Sequence, residues 1–155
     1  MNRRRFLVGG AAAAVALKAA PALAADEGTL LLGLWRREIG LAMAYGQQVH
    51  TRPELFGPAR RHANDHAAAL ATELAAVGLG TPEPPWTPDE LDVSAQRLAT
   101  ARPADVMANA VLAQESMLTL YQGALPSLPD AKIAMTAATI LASHAQHLFI
   151  LRRAA

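Results

Sequence analysis

From residue 27 onward, apolar side chains return every three or four positions through four long segments. That is the period of a helix buried along one side. The first segment covers residues 27–50 with a stripe of Leu31, Leu34, Glu38, Leu41 and Tyr45. The second continues to about residue 77 through Ala59, His62, Ala63, His66, Leu70, Leu74 and Val77. The third reads over 105–123, with Ala108, Val111, Glu115, Leu118 and Gln122 on one face. The fourth covers 130–153 with Ile133, Ala137, Ile140, His144, His147 and Leu151. No stretch alternates in the manner of a strand, and there is no repeat of fixed period.

The breaks between these segments have their own chemistry. Thr51 to Glu54 and Thr87 to Glu90 have capping-box spacing, each with a proline in the tolerated first turn. Gly57-Pro58 is expected to kink the second helix or shift its start. Gly78 and Gly80 are stop signals for that helix. Residues 81–88 contain four prolines and are expected to be extended, with Trp86 as the anchor. A short helix over 88–101 lies between the second and third long ones, covering one end or one side. The pattern predicts an all-α fold, an up-down-up-down four-helix bundle with that extra helix between helices 2 and 3.

The stripes are not purely apolar. Glu38, His66 and Glu115 lie near the middle of helices 1, 2 and 3, and His144 and His147 lie just past the middle of helix 4. In an antiparallel bundle, mid-helix positions share one level. Buried carboxylates and imidazoles need partners, because an unpaired buried charge costs several kcal/mol, on the order of 3–5. Convergent carboxylate and imidazole suits a divalent ion, Fe, Mn, Zn or Cu. His62, one turn before His66, is a further candidate ligand. Tyr45 and Tyr121 read as core residues or as partners behind the ligands. His50 is expected at a helix end in solvent, Asp65 to face away from His66, and the Arg36-Arg37, Arg60-Arg61 and Arg152-Arg153 pairs to be solvated.

The first 24 residues read differently. A basic start is followed by a mild Gly/Ala-rich run and the small-x-small sequence Ala22-Leu-Ala24, the pattern of a cleaved export signal. The domain is then 25–155. Arg3-Arg4-Arg5-Phe6-Leu7 resembles the twin-arginine motif, and Lys18 near the cleavage site fits that class. The resemblance implies the twin-arginine export machinery as a partner, export in the folded state, and a periplasmic or secreted location. Arg3, Arg4, Arg5 and Lys18 leave with the signal and no acid does. The remainder carries 10 basic and 13 acidic side chains, net −3. This excludes a basic nucleic-acid footprint. No segment reads as a stable membrane span after cleavage. Cysteine is absent, so disulfides and thiolate metal sites are excluded.

With Glu38, His66, Glu115 and His147 on four helices, residues 27–153 resemble the ferritin-like superfamily, in particular its exported members. The resemblance implies a ligand layer in the bundle core and metal-dependent oxidoreductase chemistry. The family pattern has a single Glu on two helices and Glu-x-x-His on the other two. Here Ala63 stands three residues before His66, and His144 stands where the fourth helix would carry Glu. Two carboxylates remain, enough to offset one dication, and iron storage is not carried over. The candidate ligands are Glu38, His62, His66, Glu115, His144 and His147. The alternative is a metal-free helical binding or scaffold module of the cell envelope, its Glu and His residues satisfied by one another. No nucleophile–base pair, phosphate loop or nucleotide fingerprint is present. Oligomeric state is not legible.

Overall fold

The computed structural model describes residues 13–81, 83–84 and 87–155, with side chains from Glu27 onward. The Arg3–Leu7 motif and Trp86 lie outside the described residues. Among the described residues there are five α-helices, two short 3-10 turns and no strand. They are α1 (Ala13–Gln48), α2 (Pro53–Ala76), α3 (Val93–Ala99), α4 (Val106–Ala124) and α5 (Ala131–Ala154). The four long segments and the short intervening helix of the sequence reading are all present. α1 starts earlier than expected and runs through the second half of the segment read as a signal.

α1 folds back on α2, and α4 folds back on α5. α3 packs against α1 and α4, while α1 also meets α4 and α2 meets α5. The core between them holds Leu31, Leu34, Leu41, Tyr45, Phe56, Leu70, Leu74, Leu98, Met117, Tyr121 and Ile140. Alanines fill the close approaches, among them Ala44, Ala63, Ala67, Ala95, Ala110, Ala113 and Ala137.

The turn from α1 to α2 corrects one expected cap. The Thr51 hydroxyl donates backward to the Gln48 carbonyl at 2.7 Å and so closes α1. Arg52 is the N-cap of α2, and its side chain holds Glu54 at 2.8 Å. No capping box forms there, because Thr51 is already committed. α2 runs through Pro58 and ends at Gly78, whose φ of +80° lies in the left-handed region. Leu79 N–H then reaches back to the Leu74 carbonyl at 2.9 Å, the terminal bond that such a residue permits.

The second capping box does form. Thr87 N–H donates to Glu90 Oε2 at 2.9 Å over a 3-10 turn, and the helix proper restarts at Asp92. Asp92 caps α3 by accepting from Ser94 N–H at 3.0 Å. Gln48, buried at the end of α1, donates to the carbonyls of Ala99 and Ala101 and satisfies the far end of α3. Asp130 caps α5 through Lys132 and Ile133 N–H at 2.8 and 3.0 Å. Arg37 is not a solvated charge: it spans Asp92 at 2.8 Å and Ser116 at 2.9 Å, tying α1 to α3 and α4.

α5 is more apolar than the sequence reading allowed. By length and composition it is long and apolar enough to cross a membrane, with mean hydropathy 1.3 in its most apolar stretch. Its charges, Lys132, Arg152 and Arg153, sit at the ends, so the middle shows none. Ile133, Ala137, Ile140, His144, Leu148 and Leu151 face the core. Met135, Phe149 and Ile150 are exposed.

Candidate metal centre

The site is built around Glu38. Its position in the stripe of α1, one turn after Leu34 and one before Leu41, turns the carboxylate into the core, where its exposure is 0%. Three side chains from three other helices meet it. His144 Nε2 from α5 lies 2.7 Å from Oε1. The Tyr121 hydroxyl from α4 donates to the same oxygen at 2.8 Å. His66 Nδ1 from α2 lies 3.3 Å from Oε2. One donor atom each from Glu38, His66 and His144 falls within 4.8 Å of the others.

Behind His144 stands a further chain of polar groups. Gln114 on α4 is fully buried and faces His144 Nδ1 with its amide oxygen at 2.8 Å. Its NH2 donates to the Tyr45 hydroxyl at 2.8 Å. With the amide in this orientation, Nδ1 donates to its oxygen. Nε2 is then either the second donor of an imidazolium, directed at Glu38, or a lone pair directed at a cation. An outer partner that locks the tautomer and turns the other nitrogen inward is the usual support of a metal-binding histidine.

Electrostatics follow from this packing. Burial pushes the Glu38 carboxyl up. Hydrogen bonds from His144 and His66, with their charges, outweigh it and leave the group below its ordinary value. Burial and the Glu38 charge drive Tyr121 well above the usual tyrosine range, so it stays protonated and donates. Burial also raises Tyr45. His147 is pushed down to about 4, first by burial and then by the neighbouring His144, His62 and His66.

Of the six candidate ligands, Glu38, His66 and His144 come together. His62 and His147 also meet, with His62 Nδ1 and His147 Nε2 2.8 Å apart, but they form a separate pair one step farther out. The His144 and His147 rings are 6.4 Å apart between centroids. Glu115 does not join the layer. It lies at the surface, paired with Arg152 at 2.6 Å. The inward stripe of α4 is Val106, Ala110, Ala113, Gln114, Met117, Tyr121 and Ala124, one position out of register with the reading that carried Glu115 inward. His50 is exposed and Asp65 faces away, as expected.

Comparison with known protein families, curated proteins and solved structures finds no match for this chain. The side chains themselves are the basis for assigning a role.

The residues fit a metal ion. Two neutral imidazoles and one carboxylate are the donor set of mononuclear iron and zinc sites that retain open coordination positions. Donors on one ion sit roughly 2.0–2.2 Å from it. The three atoms lie within 4.8 Å of one another, and His144 Nε2 at 2.7 Å must part slightly from Oε1 to share an ion with it. The buried carboxylate supplies one negative charge, which favours one dication and disfavours two.

Proposed function

We propose that this chain is an exported ferritin-like four-helix bundle that binds one divalent metal ion through Glu38, His66 and His144. The observation that carries the reading is the convergence of those three donor atoms within 4.8 Å around a fully buried carboxylate. Gln114 and Tyr121 support it from behind, one orienting His144 and the other Glu38. The packing of α1 on α2 and of α4 on α5 is what an up-down-up-down bundle requires. Export through the twin-arginine machinery to the periplasm or beyond rests on Arg3, Arg4, Phe6 and Leu7.

The ion supplies Lewis acidity, or redox chemistry if it is iron, at positions the protein leaves open. The chain's own part is to hold the ion, set its charge with a single carboxylate, and surround it with apolar packing. A metal-free scaffold is the second reading, favoured by one observation: Glu38 Oε1 already accepts from both Tyr121 and His144. Elemental analysis of protein recovered from its native compartment separates them. One equivalent of a transition metal, lost in Glu38→Gln, supports the metal centre. Metal-free protein whose melting does not respond to Fe(II), Mn(II), Zn(II) or Cu(II) rejects it.

A further inference from the structure

Outside the buried triad, two further imidazoles meet across α2 and α5. His62, exposed on α2, and His147, half-buried on α5, face one another with rings only 9° from parallel and 5.0 Å apart between centroids. His62 Nδ1 and His147 Nε2 are 2.8 Å apart. The pair lines a cavity of about 170 Å³ that also includes Glu54, Leu55, Pro58, Ala59 and Ile150. The cavity is mostly apolar, and the two imidazole nitrogens face each other across its lining.

We propose that His62 and His147 form an outer metal site, distinct from the triad, for an imidazole-seeking ion of the Zn(II) or Cu(II) class. Two rings on two helices provide a two-point clamp, and the exposed side supplies water or a small ligand for the other positions. Glu54 lines the same cavity with one carboxylate oxygen held by Arg52 at 2.8 Å, so the two imidazoles lead the donor set and disfavour Mg(II) and Ca(II), which take oxygen ligands. The two nitrogens separate slightly to admit the ion, and His62 at the surface is the ring with room to swing. The proton balance closes locally. The ring that donates in the N–H···N bond moves its proton to its other nitrogen through solvent, so both facing nitrogens present lone pairs and no net proton is lost.

The outer site also stands on the way inward. From His62 the rings step to His147 at 5.0 Å, to His144 at 6.4 Å and to His66 at 5.1 Å. Glu38 and His144 are 0% and 1% exposed, so an ion reaches them only past other side chains. The pair offers an ion a first stop at the surface, beside the direct approach over His66, whose side chain is 12% exposed.

The test uses the full chain titrated with Zn(II), followed by calorimetry and by the imidazole resonances of the protein. Glu38→Gln removes the inner site. If the proposal holds, that variant still binds Zn(II) and shifts the His62 and His147 ring signals, while His62→Ala weakens this binding about tenfold or more, at least what loss of an outer partner costs a metal site. His66→Ala serves as the second inner variant if Glu38→Gln does not fold. An ion retained by Glu38→Gln and lost in His62→Ala establishes the outer site even where the triad takes none. An ion lost in Glu38→Gln, with His62→Ala titrating as the unaltered chain does, overturns the outer site and leaves the triad standing.

Discussion

Replacing Glu38 by Gln keeps the side-chain volume and one oxygen, but removes the only carboxylate in the layer. In the metal-free protein the loss falls on His144, 2.7 Å away and 1% exposed, and on His66 at 3.3 Å. Removing one partner of a buried charged pair costs about 3–5 kcal/mol. The surviving amide oxygen still accepts from Tyr121, so the expected loss is at the low end, about 3 kcal/mol. For a domain of this size each kcal/mol moves the midpoint by about 2–4 °C, which gives a fall of about 6–12 °C in Tm. The decisive quantity is the increment on adding metal. At a free ion concentration of 100 times Kd the unaltered chain gains about 2.7 kcal/mol, and Glu38→Gln should gain nothing attributable to the triad. Thermal melts by circular dichroism, with chelator and with Fe(II) or Mn(II), read both effects. These ions are chosen because the outer histidine pair favours them least. A variant that melts lower in chelator yet keeps the full increment on adding metal would refute the assignment of Glu38 as a ligand.

Acid should begin to destabilise the metal-free protein as pH falls below 6.5. His147 is held at about 4 when folded, below its ordinary 6.5, so between those values the unfolded chain binds a proton that the folded chain does not. Stability is complete above pH 6.5 and declines as pH falls toward 4. Because the ring is partly exposed, the expected decline is about 1–2 kcal/mol, and urea unfolding in chelator at pH 7 and pH 4.5 should show it, with His147→Gln flattening the difference. Glu38, held below its ordinary value, adds a further loss beneath pH 4.5. Glu115→Gln should leave metal content unchanged by elemental analysis and cost under about 1 kcal/mol, since it breaks only the surface pair with Arg152. Arg3→Lys combined with Arg4→Lys should leave the precursor in the cytoplasm when cell fractions are blotted; normal export would remove the twin-arginine assignment.

Glu38 was legible in the sequence because Leu31, Leu34, Leu41 and Tyr45 form one continuous stripe through it, even though Leu32, Trp35, Ile39 and Met43 run beside it. The same holds for His144 among Ile133, Ala137, Ile140 and Leu151. α4 is different. Ala, Leu, Met and Val occur on every side of it, and Leu112 is 49% exposed while Gln114 is fully buried. With apolar residues all round, the period fits two registers, and choosing the one that carries a charge inward selects Glu115 over its neighbour Gln114. Tyr121 holds the missing signal: a large aromatic seven residues after Gln114 marks the same face. The His62–His147 pairing depends on how far apart α2 and α5 sit, a distance that no periodicity encodes. Arg37 likewise reads as a surface charge until the cap of α3 is placed beside it.

The three donors are unevenly spaced along the chain, and this bears on folding kinetics. Glu38 and His66 are separated by 28 residues and belong to the α1–α2 hairpin, whereas His144 is 106 residues from Glu38 and arrives with the α4–α5 hairpin. Local hairpins close sooner than long-range docking, because fewer chain conformations are lost in closing the shorter loop. The first hairpin by itself offers an ion two ligands, and the third is delivered only when the hairpins dock. An ion that needs all three ligands therefore binds after the rate-limiting encounter. It should slow unfolding while leaving the folding rate nearly unchanged, so that metal acts as a latch on the docked state and not as a template for reaching it.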